Sequence, residues 1–533
     1  MKLLSLKIKK ANTCGGLLDD IYVPFRDILP IAGLFDPICL IGPNGAGKSQ
    51  LLQVIAEIFQ AVYARFLPNE EKGKANDGIL FELEYNIFTS ANVEDRVRIS
   101  RLPITKKKPE IVVEKNVSGT WELVADEDIE PCLPKKIVGY TSGDNETLSI
   151  PFFVSRAGYA NQVRSNATKN ELRSLPIADP RMLLIDYGTN LEVLVANLLL
   201  NPQNIREQLI KGPNLRALRS FRCVIQLNHA PVRPTGVQLT DELASYIDQL
   251  KKCATCYVFD VKNQAYTFDF FIQDATHTAF GYFWKNGALE LYSCFHKLAM
   301  LNDLVIQKQD REAFEKGVKE RRFASRLPEP MERQKVFRFE RVEFHSSKSS
   351  ELDVVDYVSL SDGEHQLAQL LGTFCMVNYP NVLFLLDEPE SHFNPRWRVE
   401  FISKIMSLPT CGGTRGEKSD ASRQECLITT HSPFVPSDMK SENVLIFKKE
   451  KEGEKIEVRR PNIETYGSTF DKILEECFDI SPPMSDLPRK EITDLLKSND
   501  SEEIRNAMKG LGESVERMYL ADRVRMLARK EKQ

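Results

Sequence analysis

The chain has 533 residues, of which 42% are hydrophobic and 27% charged, and its formal net charge is −4. That length gives room for two or three globular domains, and the acidic balance excludes a protein whose whole surface is a nucleic-acid glove. The absence of an apolar run of about 18 residues or more excludes a spanning helix, so no membrane partner and a cytoplasmic location are expected.

The first ten residues alternate apolar and charged positions and predict a strand over Leu3–Ile8. A short apolar run, Ile38–Ile41, then stops at Gly42-Pro43-Asn44-Gly45-Ala46-Gly47-Lys48-Ser49. The next apolar residues, Leu51, Leu52, Ile55, Ile58, Phe59 and Val62, recur at helical spacing. Strand, glycine loop and helix in this order fit a phosphate-binding loop at every fixed position. Its backbone N–H groups turn inward on phosphate oxygens, and the helix N-terminus adds its positive dipole end. Lys48 is expected to reach the β- and γ-phosphates of ATP, and Ser49 to bind Mg²⁺.

Phe81–Tyr85 and Val97–Arg101 alternate as half-buried antiparallel strands do, and Ile137–Tyr140 predicts a short strand ending in Thr141-Ser-Gly143. From about Ala157 to Leu327 the pattern is mixed, with a helix predicted at Leu191–Leu200 and a strand at Ala265–Ile272. No sustained heptads occur, so no long coiled coil is expected. Cys253-Ala-Thr-Cys256 lacks a second pair at zinc-ribbon spacing and reads as reduced thiols. Between Arg311 and Lys348, 11 Lys and Arg outnumber 7 Asp and Glu, interleaved with Phe323, Phe337, Phe339 and Phe344. Nucleic-acid contact is one reading of this stretch and of Lys106–Lys108; an amphipathic strand is the preferred reading of the first. The turn-rich Cys411–Asp420 is expected to be an exposed loop, and Arg517–Lys532 a solvated helix face.

Three further motifs follow. Leu360-Ser361-Asp362-Gly363-Glu364 opens an apolar helix 26 positions before Asp387. Ser361 and Glu364 also fit a capping box. Asn381–Leu386 is a mostly apolar strand that ends in Asp387-Glu388-Pro389. Such a strand delivers its carboxylates beside the phosphate loop, Asp387 to hold Mg²⁺ and Glu388 to orient or deprotonate water. Cys426–Thr430 delivers His431 at a strand end, 44 positions after Asp387.

This order resembles the ABC ATPases, whose signature Leu-Ser-Gly-Gly-Gln is matched here as Leu-Ser-Asp-Gly-Glu. The resemblance implies that Ser361, Gly363 and Glu364 contact the γ-phosphate held by the opposite subunit of a homodimer or higher oligomer. It further implies that His431 is a switch histidine beside the γ-phosphate, with Glu388 as its catalytic partner. The Q-loop glutamine is not matched; Tyr140–Asn145 occupies its place. Asp387-Glu-Pro-Glu-Ser-His392 is more like the soluble ATPases related to RecF, SMC heads and OLD nucleases. No nuclease carboxylate set is found in the 102 residues after His431. The layout resembles the PtuA ATPases of Septu and retron anti-phage systems, which implies a separate PtuB-like HNH endonuclease and, in retrons, a reverse transcriptase with its RNA–DNA product. A RecF- or SMC-like repair ATPase is the alternative.

The expected fold is α/β: an ABC-type head with a mixed sheet, a helical subdomain and an inserted mixed segment. The expected division is an N-terminal ATPase lobe over 1–150, an insert over 151–345, a C-terminal ATPase lobe over 346–450 and a helical tail over 451–533.

Overall fold

A computed structural model describes residues 1–26, 35–90, 93–103, 108–142, 146–211, 215–229, 236–320, 330–347, 354–410, 413–417, 420–449 and 455–530. The chain order of strands is β1 (Lys2–Lys10), β2 (Ile21–Pro24), β3 (Ile38–Ile41), β4 (Leu80–Ser90), β5 (Val93–Arg101), β6 (Val112–Val117), β7 (Thr120–Leu123), β8 (Lys136–Thr141) and β9 (Met182–Ile185). Then come β10 (Leu215–Gln226), β11 (Cys256–Asp260), β12 (Ala265–Phe271), β13 (Phe337–Ser346), β14 (Val354–Asp356) and β15 (Val382–Asp387). A two-residue ladder, β16 (Pro409–Thr410) with β17 (Gly413–Thr414), precedes β18 (Glu425–Thr430), β19 (Val444–Lys449) and β20 (Ile456–Arg459).

The three main sheets divide the labour. The first is six-stranded and antiparallel, in the order β2-β1-β4-β5-β6-β7; the second runs β20-β19-β3-β18-β15-β8-β9; the third, β11-β12-β10-β13-β14, is antiparallel. In the second sheet every neighbouring pair is parallel except β19 with β20. Parallel strands are covered on both faces, and β15 shows why its sequence is a continuous apolar run. Its Leu383 and Leu385 join the core shared with the first sheet and helix Lys48–Phe66. Val382, Phe384 and Leu386 point into the opposite core, with helices Asn190–Leu200, Asp362–Met376 and Pro395–Met406 and the third sheet. This is the mixed α/β architecture that the strand and helix patterns predict, and no helix is long and apolar enough to cross a membrane among the described residues.

The second sheet takes in strands from beyond the expected lobe boundaries. β9 lies at residues 182–185, between the lobes drawn at 1–150 and 346–450, and β20 at 456–459, after them. Both are short edge strands, whose few residues carry little periodic signal. The last three helices, Asp486–Lys497, Ser501–Met508 and Val515–Lys530, pack a small core of their own around Ile492, Leu495, Ile504, Leu520, Val524 and Leu527.

β13 is an amphipathic strand: Phe337 and Phe344 are buried, while Arg338 pairs with Glu340 at 2.7 Å and Arg341 with Glu343 at 3.5 Å. Phe323, Lys348, Lys106 and Lys107 lie outside the described residues, whereas Lys108 is exposed and meets Asp77 at 3.1 Å. Cys253 is buried and Cys256 exposed, and among the described residues no group of three or more His, Cys, Asp or Glu side chains is placed to hold a metal.

The expected exposed loop at 411–420 requires correction. Cys411, Gly412, Lys418 and Ser419 lie outside the described residues, but Arg415 is 1% exposed. Its guanidinium lies over the rings of Phe35 and Phe374, 5.2 and 4.8 Å from their centroids. It donates to the Phe374 carbonyl at 2.6 Å and to Gln424 Oε1. Turn-forming neighbours hide this role from a compositional reading. Burial lowers the Arg415 pKa to about 10. Arg415→Ala leaves two acceptors and two rings without their partner and should cost about 3 kcal/mol. A melting temperature several degrees below that of the unaltered chain is expected, and an unchanged one would contradict this role.

Candidate functional site

The loop 42–47 leaves the end of β3 and enters helix Lys48–Phe66. Gly42 has φ 146°, and a Cβ there would stand 2.1 Å from the Phe447 carbonyl on β19, so only glycine lets the loop pass that strand. Lys48 is 5% exposed and its ammonium donates to the Gly42 and Pro43 carbonyls at 2.8 and 3.1 Å. Burial pulls its pKa down to about 8, against the opposing pull of Glu388 and Asp387.

The order β3-β18-β15-β8 brings distant sequence segments to one sheet edge, beyond the C-terminal ends of parallel strands. Ser49 Oγ donates to Asp387 Oδ1 at 2.7 Å, a link across 338 positions. Thr429, the penultimate residue of β18, donates to the same oxygen at 2.6 Å, and its hydroxyl accepts the Glu388 N–H at 3.0 Å. Burial raises the Asp387 pKa, while those two hydroxyls oppose the rise. A serine hydroxyl beside a carboxylate is an oxygen donor set suited to a hard cation such as Mg²⁺.

Glu388 follows β15 with φ 48°, a left-handed conformation that a non-glycine side chain adopts rarely and that collects at functional sites. His431 Nε2 lies 3.1 Å from Glu388 Oε1. The hydrogen bond with His431 is the largest influence on Glu388 and holds its pKa below the usual glutamate value. Lys48, Ser49, Asp387, Glu388 and His431 are therefore linked into one site.

Ser361, Gly363 and Glu364 stand apart from it. Ser361 N-caps helix Asp362–Met376, and its N–H and hydroxyl both donate to Glu364 Oε2 at 2.8 Å, so the expected capping box is formed. A Cβ on Gly363 would lie 2.7 Å from the His392 carbonyl, which fixes the helix start against the segment after Glu388. Ser361 is exposed, and among the described residues no hydrogen bond or ion pair joins 361–364 to 42–49.

Several contributors escape a motif reading. Gln366 donates to the Ser142 carbonyl at the end of β8, and Gln369 to the Asp186 carbonyl after β9. The helix that starts at Ser361 is thus tied to the end of β8, the place expected for a Q-loop; Gly143, Asp144 and Asn145 lie outside the described residues. Thr429, Thr430 and Glu390 also belong to the site. Their one sequence signal is a pair of hydroxyl residues immediately before His431. Asn394 caps helix Pro395–Met406, its Oδ1 accepting the Trp397 N–H at 3.0 Å.

Residues 278–438 match the family model described as an AAA domain, putative AbiEii toxin, Type IV TA system. The match spans Ser361, Asp387, Glu388 and His431, and the phosphate loop that folds against it comes from residues 42–49, outside the matched segment. Over this segment the chain is similar to that AAA domain, and the similarity supports a generic P-loop ATPase.

Proposed function

We propose that two copies of this chain close head to head around two ATP molecules, each held with Mg²⁺, and that this ATPase controls a separate HNH nuclease in an anti-phage defence system. The observation that carries the closure is the position of Ser361: exposed at a helix start, yet bonded to nothing in its own phosphate loop. A helix N-terminus with a serine and a glycine is a natural anion contact, so the phosphate it fits is one presented by a second copy.

In this reading Lys48 leaves the Gly42 and Pro43 carbonyls and turns its ammonium to the β- and γ-phosphates. Ser49 and Asp387 hold Mg²⁺, which supplies charge neutralisation on those phosphates. Glu388, exposed enough to meet water, orients the nucleophile and accepts its proton. His431 fixes that carboxylate and reaches the γ-phosphate. The Ser361 hydroxyl leaves Glu364 Oε2 and donates to the incoming phosphate instead.

The defence role rests on the resemblance to the PtuA layout and on the matched family's description as a putative toxin of a toxin–antitoxin system. Both support an ATPase that works beside another component, here a PtuB-like nuclease and, in a retron setting, a reverse transcriptase with its RNA–DNA product. DNA or RNA cleavage by the purified chain alone, dependent on its own carboxylates, would overturn this part.

The closure has its own test. Turnover per chain should rise with protein concentration. Ser361→Arg should reduce it at least about tenfold by blocking approach of the second copy, with ATP affinity of the single chain unchanged. Turnover independent of both concentration and this substitution would contradict closure.

A further inference from the structure

Three consecutive residues of the β18 end meet the turn that follows β15. Thr429 holds Asp387 and the Glu388 N–H; His431 meets the Glu388 carboxylate; Thr430, between them, donates its hydroxyl to Glu390 Oε1. Successive strand residues face opposite ways, so Thr429 and Thr430 grip the turn from its two sides. The same Thr430 oxygen accepts the Ser432 N–H at 2.9 Å and so also pins the backbone that carries His431.

Glu390 is 3% exposed, and Oε2 meets no donor among the described residues. Burial raises its pKa to about 7, against the lowering effect of the Thr430 bond. A carboxyl buried on so few partners is costly unless its position serves the fold or the site. The turn it anchors is a strained one: Glu388 has φ 48°, and such a conformation persists only where its surroundings over-determine it. The Ser391 N–H closes the turn on the Glu388 carbonyl at 3.1 Å, and the Phe393 N–H bonds the Glu390 carbonyl at 3.0 Å.

We propose that Thr430, by holding the buried Glu390 carboxyl, is a positioning residue for ATP hydrolysis: it fixes the left-handed turn that presents Glu388 to His431. The proposal rests on the hydrolytic reading of Glu388 and His431. Neither Thr430 nor Glu390 touches nucleotide in it; both act through the turn. Thr430→Val keeps the shape of a buried strand residue and removes only the hydroxyl.

The test is steady-state ATP turnover of the full chain, with nucleotide affinity read separately by a fluorescent ATP analogue. Thr430→Val should lower kcat about tenfold, with KM and affinity within about twofold, and Thr430→Ser should restore kcat. Glu390→Leu should lower kcat in the same direction, and the double variant should be no worse than Thr430→Val, because the Glu390 contact is one of the two that the valine removes. Wild-type kcat in Thr430→Val, or a loss that serine fails to rescue, overturns the proposal whether or not Glu390→Leu folds. Wild-type kcat in Glu388→Gln overturns the hydrolytic reading beneath it, a separate result.

Discussion

Lys48→Ala is expected to raise the dissociation constant for ATP by about 100-fold or more, equivalent to about 3 kcal/mol. The side chain is buried in the loop, and its ammonium donates to the Gly42 and Pro43 carbonyls at 2.8 and 3.1 Å, where it holds the loop until an anion competes for it. Burial lowers its pKa to about 8 despite the nearby Glu388 and Asp387 carboxylates, so the charged form is disfavoured in the empty loop. Two negative phosphates remove that cost, so the free energy of the contact appears in binding rather than in stability of the empty loop. Removal of the ammonium takes that attraction away and leaves the Gly42 and Pro43 carbonyls without their donor. Titration of a fluorescent ATP analogue measures the change. An unaltered affinity would mean that nucleotide binds elsewhere.

Glu388→Gln should separate binding from hydrolysis. Glutamine occupies the same volume, keeps an oxygen that can face His431 at the observed 3.1 Å and demands nothing new of the φ 48° backbone. It cannot take a proton from water. Loss of a positioned general base lowers kcat by about 10²- to 10³-fold, while Lys48, Ser49 and Asp387 keep their places and ATP affinity stays within about twofold. Single-turnover hydrolysis beside equilibrium binding distinguishes the two effects. A fall in affinity matching the fall in kcat would make Glu388 a binding residue.

The site was legible wherever a motif is contiguous. The phosphate loop, Asp387-Glu388 and His431 each sit at the end of a short apolar strand, and parallel strands bring their ends to one edge. The capping geometry of Ser361 and Glu364 follows from their three-residue spacing. The rest depends on contacts between residues 40 to 224 positions apart. Gln366 on Ser142, Gln369 on Asp186 and Thr430 on Glu390 are single hydrogen bonds with no periodic signature. Arg415 was misread for a related reason: its burial comes from Phe35, Phe374 and Gln424, while its neighbours in sequence are those of a loop. β9 and β20 escaped the lobe boundaries because four-residue edge strands look like any short apolar segment.

The matched segment starts at residue 278, within helix Asp274–Phe283, and leaves out the loop at 42–49. β10 to β14 form a separate antiparallel sheet, yet they share one continuous core with helix Asp362–Met376 and the strand face of Val382, Phe384 and Leu386. Movement of the helix that starts at Ser361 would therefore be felt both at the ends of β8 and β9, through Gln366 and Gln369, and in the third sheet. In the proposed cycle this is how closure on a second copy's phosphate reaches the surface that a nuclease partner could read.

Light scattering on the Glu388→Gln chain, with and without Mg²⁺ and ATP, tests head-to-head closure most directly. ATP should double the molar mass of the free assembly unit, and the added substitution Ser361→Arg should abolish the doubling while ATP remains bound. An unchanged mass with ATP bound to every chain would contradict closure and leave Ser361 as no more than the cap of its own helix.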